Sequence, residues 1–173
     1  MIKALVLASF LLSSSAFANH EKDHKEHREH GAHVHGSGKL DIAFDGTVGK
    51  VEFEVPAESI LGFEHEAKSV KDQKTLADAK EKFEKEIAQM IQMDPASGCK
   101  FSKDDIDLHL EEGGHADFKA VYHVTCAQSP MGTKVTVDFT RFSRLKDLDI
   151  TVLAGGLQKS AEAKKKAVQI ELK

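Results

Sequence analysis

With 173 residues, 24 basic against 28 acidic side chains and a formal charge of −4, the chain is long enough for one domain with its own core. It carries no basic excess of the kind that draws nucleic acid, and after the N-terminal apolar run no second run is long enough to anchor the protein in a membrane.

The chain opens MIKALVLASFLLSSSAFAN: one early lysine, Lys3, an apolar run from Ala4 to Leu12, and an A-x-A pattern at Ala16, Phe17 and Ala18. This reads as a secretory signal peptide (residues 1–18), too short to span a bilayer, with cleavage expected after Ala18. Loss of Lys3 with the leader would take the formal charge to −5 and make Asn19 the first mature residue.

The stretch HEKDHKEHREHGAHVHG, directly after Asn19, holds six of the ten histidines: His20, His24, His27, His30, His33 and His35. If residues 20–30 became helical, His20, His24 and His27 would share one face, with His30 one turn beyond His27. If HVH is extended, His33 and His35 project the same way and could chelate together, with Gly31 and Gly36 letting the pair reorient. Neutral imidazole ligates zinc, copper and nickel. The bland alternative is a solvated charged extension, but histidine this dense is unusual for one. Residues 19–35 are therefore expected to be a metal-binding tail. Having almost nothing apolar to bury, it is expected to be disordered without metal, so binding must offset ordering entropy.

Residues 40–45 (LDIAFD) and 51–55 (VEFEV) alternate apolar with polar around the turn residues DGTVG. They predict a hairpin with Leu40, Ile42, Phe44, Val51, Phe53 and Val55 facing inward, ended by Pro56. From Ser69 to Met93 the period lengthens, with Leu76, Phe83, Ile87, Met90 and Ile91 on one helical face. Ser69 with Asp72 resembles a capping box, and Asp94 with Pro95 should stop the helix. Period two returns in residues 106–110, 118–126, 134–139, 148–153 and 167–172. Gly155 and Gly156 should separate the last two strands, and residues 141–147 could form a short helical turn. The expected fold is α+β: one domain over residues 36–173, a mainly antiparallel sheet packed in two layers by one long helix.

Cys99 and Cys126, in a chain addressed to an oxidising compartment, are expected to form a disulfide. Zinc held by both thiolates is the competing possibility, but CxxC spacing is lacking. His65, in the loop GFEHE, and His115, in the turn EEGGHAD, could each be a ligand or a surface residue. With a three-residue turn at Gly113 to His115, Ile106 would oppose Tyr122, Leu108 would oppose Ala120, and His123 would face Asp105. In that register His109 and His123 lie roughly 13 Å apart and cannot share an ion. No nucleophile elbow, HExxH or phosphate-binding glycine loop is present, and Ser59 and Ser143 have no catalytic context. Met90 and Met93 have core spacing, not that of a copper site.

Four motifs in order, HGAHVHGSGKLDIAFDG, GFEHE, the GC at 98–99 and HADFKAVYHVTC, resemble the ZrgA-like (zinc-regulated gene A) family of periplasmic proteins over nearly all of residues 30–172. The resemblance implies zinc binding in the periplasm, expression under zinc limitation and assistance to a high-affinity ABC zinc importer, without catalysis. The family's histidine positions fall on His33, His35, His65 and His115. Many relatives carry a second histidine-rich insertion before HADF; here only EEGG stands there, which leaves His115 to act alone or with Glu112. The tighter site would then use His33 and His35, with His65 or His115 as further ligands, and His20, His24, His27 and His30 as a looser collector. Two other readings use the same residues: a periplasmic buffer for copper or nickel, favoured by the Irving–Williams order, and a protein-docking module to which metal is incidental.

Overall fold

The alternation of residues 40–45 and 51–55 produces the hairpin it predicts. In the computed structural model, which describes residues 34–111 and 113–173, strand β1 (Ser37–Asp45) pairs antiparallel with β2 (Val48–Pro56). All six apolar residues named for this hairpin are buried. Asp45 opposes Val48, so Gly46 and Thr47 make the turn, with Gly46 at φ +60°. A short helix, α1 (Ala57–Leu61), follows β2 and is closed by Gly62 in the left-handed region.

Helix α2 (Val70–Met90) begins as expected: Ser69 Oγ accepts a hydrogen bond of 3.0 Å from the Asp72 N–H, satisfying one of the free donors of the first turn. Its buried residues are Phe83, Ile87 and Met90, with Leu76 partly buried beside them. The helix ends three residues before the predicted stop. Ile91 continues the apolar period but turns extended and starts β3 (Ile91–Met93), where it opposes Val137 of β6 (Lys134–Val137). Periodicity cannot distinguish the two outcomes, because either buries Ile91. The ladder offered by β6 decides it, and the Met90 carbonyl also accepts from the Asp138 N–H at 2.7 Å. Asp94 and Pro95 open a separate 3₁₀ turn, Pro95–Ser97.

The remaining strands are β4 (Lys100–Leu110), β5 (Ala116–Thr125), β7 (Asp147–Ala154), β8 (Leu157–Ala163) and β9 (Val168–Glu171). Strand β8 is a correction. Gly155 and Gly156, at φ +52° and +84°, form a tight turn that joins β7 to β8, with Ala154 opposite Leu157. The sequence of β8, LQKSAEA, has no β-branched or aromatic residue, so its strand character comes from pairing with β7. Residues 141–146 form turns and no helix before β7 begins at Asp147.

Among the described residues the strands form two sheets, not one: a six-stranded sheet in the order β4-β5-β2-β1-β7-β8 and a three-stranded sheet in the order β3-β6-β9. Pairing is antiparallel except between β1 and β7, which run parallel. One face of the large sheet is buried. Phe83 of α2 lies on it, its ring centroid 5.1 Å from Phe53 and 4.8 Å from Phe118. Val135, Val137 and Ile170 of the small sheet join the same core. No helix among the described residues is long and apolar enough to cross a membrane.

Between β4 and β5 the register differs by two residues from the expected one: Ile106 opposes Ala120 and Leu108 opposes Phe118, with a bulge between Lys103 and Asp105. The offset is even, so the apolar faces still coincide. Cys99 and Cys126 are disulfide-bonded just outside the Lys100–Thr125 pair and close the open end of this hairpin. The bridge spans 27 residues. In the chain-entropy model a loop of this length contributes about 3.5 kcal/mol. The double variant Cys99→Ser/Cys126→Ser is expected to unfold at a clearly lower urea concentration; an unchanged midpoint would show that the bridge adds nothing.

Candidate metal centre

Strand direction determines which loops meet. β1 and β7 start, β2 and β4 finish, and β5 starts at one end of the large sheet, since Lys39 pairs with Glu54, Pro56 and His109 with Asp117, and Ser37 with Asp147. The segments next to those ends are therefore neighbours. They carry His35 just before β1, Glu64 just after α1, and His115 in the loop between β4 and β5.

These three side chains converge. His35 Nε2 lies 3.3 Å from Glu64 Oε2, and His115 Nδ1 lies 3.0 Å from the same oxygen. The two imidazoles are more than half exposed, whereas the Glu64 side chain is only 14% exposed. Its other oxygen, Oε1, is buried and has no hydrogen-bond partner among the described residues. A buried carboxylate oxygen without a donor is costly, and such an atom calls for a functional explanation.

Local sequence explains how each member is presented. Gly62, at φ +83°, lets the chain leave α1 sharply, a conformation that L side chains rarely adopt. Phe63 and His65 then stack at 4.8 Å, and His65 Nδ1 sits 3.0 Å from the Glu66 carbonyl oxygen. His65 is thus turned onto Phe63, and Glu64 between them meets the other two histidines. At His115, Gly113 and Gly114 both have positive φ, and the His115 carbonyl accepts from the Glu111 N–H at 2.9 Å, closing the loop.

Two nitrogens and a carboxylate form a donor set that suits Zn2+. The same nitrogens that would ligate now contact one oxygen, and among the described residues no three His, Cys, Asp or Glu stand ready-made in metal-binding geometry. Their exposure allows both rings to turn about χ1 and χ2 toward an ion. His20, His24, His27, His30, His33 and Glu112 lie outside the described residues. His109 and His123 do not join the trio. His109 Nε2 pairs with Asp105 at 3.1 Å, and His123 Nε2 lies 3.5 Å from Asp104, not Asp105, because the two-residue offset moves His123 away from Asp105 and the bulge leaves Asp104 unpaired in the ladder beside it. Both cysteines are consumed by the disulfide, which excludes a thiolate metal site.

Glu64 is the residue that reading by type overlooked: attention to histidine in GFEHE passed over the carboxylate beside it. Its signal was the left-handed glycine followed by an acidic residue flanked by two rings that can stack.

A search among curated proteins finds none that matches the chain. The model of the ZrgA family of zinc uptake proteins matches residues 32–172, which include every described member of the trio and both cysteines. The chain belongs to the ZrgA family of zinc uptake proteins.

Proposed function

We propose that the protein captures scarce Zn2+ in the periplasm and assists its delivery to a high-affinity ABC zinc importer, acting as a binding protein and not as an enzyme. The observation that carries this reading is the convergence of two exposed imidazoles on a part-buried carboxylate whose second, buried oxygen has no partner among the described residues. His35, Glu64 and His115 would bind the ion, His33 adding a further imidazole from two residues before His35. His65 would first have to leave Phe63, and His20, His24, His27 and His30 would serve as the collecting tail. Membership of a zinc uptake family favours this reading over a copper or nickel buffer.

Calorimetric titration of the metal-free mature protein at neutral pH tests it. Zinc should bind at micromolar concentration or tighter, and His35→Ala and His115→Ala should each weaken binding roughly tenfold or more, the scale on which groups around a metal act. Binding no tighter than millimolar, or both variants binding like the wild type, would overturn the assignment.

A further inference from the structure

Ser59 is a polar side chain in a place that normally excludes one. It lies on α1 and is 2% exposed. Its Oγ accepts a hydrogen bond of 3.2 Å from the backbone N–H of Gly36, the residue that follows His35. Gly36 is itself buried, at φ +86°, and a Cβ there would come within 3.0 Å of the Arg144 carbonyl oxygen and of Lys146 Cδ. The Gly36 carbonyl is also engaged, accepting from the N–H groups of Lys146 at 2.7 Å and Asp147 at 3.0 Å.

Both backbone polar groups of Gly36 are therefore held, one by α1 and the other by the start of β7. Helix α1 is also the element that runs through Gly62 to Glu64. The Ser59 hydroxyl thus ties the segment that carries His35 to the segment that carries Glu64.

We propose that Ser59 is a positioning residue of the zinc site: it touches neither the ion nor its ligands, and it holds the backbone at His35 so that the imidazole meets Glu64. This inference rests on the reading of His35, Glu64 and His115 as ligands. Without the hydroxyl, the Gly36 N–H would be buried without an acceptor, and the metal-free segment would relax until it reached water. Zinc would then have to restore the geometry at each binding event, and the cost would appear in affinity.

The test is a double-mutant cycle on zinc affinity, measured by competition with a chromophoric chelator, in the wild type, Ser59→Ala, His35→Ala and the double variant. Ser59→Ala is expected to weaken binding about fivefold to thirtyfold, which matches loss of one to two kcal/mol. In the His35→Ala background the same change should have little further effect, because the role is exerted through His35. Ser59→Thr, which keeps the hydroxyl, should recover most of the affinity. If Ser59→Ala proves too unstable to purify, Ser59→Cys, close in size but a weaker acceptor, should give a smaller loss in the same cycle. Wild-type affinity in Ser59→Ala, or an equal loss with and without His35, overturns the positioning role and leaves the ligand assignment standing. A His35→Ala protein that binds zinc like the wild type removes the ligand assignment and this role with it.

Discussion

Replacing Glu64 with alanine should weaken zinc binding about 100-fold, the upper end of what groups surrounding a metal contribute and a reasonable minimum for a ligand. Glu64 is the anionic member of the trio and the point on which both imidazoles converge. Its removal takes away the negative charge that offsets the dication and the partner that orients both rings. The effect on stability should run the other way. Glu64 Oε1 is buried without a donor among the described residues, and truncation relieves that desolvation cost. The metal-free variant is therefore expected to unfold at the same or a higher urea concentration than the wild type. Glu64→Gln separates charge from shape, and should bind zinc nearly as poorly as alanine if charge dominates. A Glu64→Ala protein that loses stability but keeps its zinc affinity would identify the carboxylate as structural and sink its role as a ligand.

The second large effect is expected in the core. Phe83 is fully buried, with ring centroids of Phe53, Phe118 and Phe142 at 5.1, 4.8 and 5.2 Å. Its ring packs α2 onto Phe53 and Phe118 of the large sheet, and Phe142 brings in the turns that precede β7. Phe83→Ala should cost about 3–5 kcal/mol, the range for emptying an aromatic site in a packed interior. Against a typical stability of about 5–15 kcal/mol, that is a large share of the total. The checking measurement is equilibrium urea unfolding followed by far-UV circular dichroism. A loss below about 1 kcal/mol would mean that the neighbouring rings close the gap, contrary to the close packing of rings on both sides. Ile87→Val, on the same helix face, deletes a single methyl group and should cost far less.

These two sites differ in how far the sequence exposes them. Phe83 is legible because α2 is a local object: a capping serine, a 3.6-residue period and an apolar face appear within one stretch of chain. The hairpin of β1 and β2 is legible for the same reason, its alternation and its turn lying within residues 40–55. Ile91 is not, because the helical period and the strand that replaces it demand the same buried side chain. Nor is β8, whose small and polar residues have no strand preference of their own and acquire a partner only once two glycines fold the chain back onto β7.

By itself the sequence determined which side chains face the core, where α2 starts, that the two cysteines pair, and that histidines gather ahead of β1. The tertiary structure alone decided the parallel pairing of β1 with β7, the bulge that gives His123 to Asp104, and the meeting of His35 with His115 on Glu64. The reason is physical. Periodicity and capping are written over a few turns of chain, whereas His115 and Glu64 are 51 residues apart. They become neighbours only when strand order and direction bring their loops to one end of the sheet.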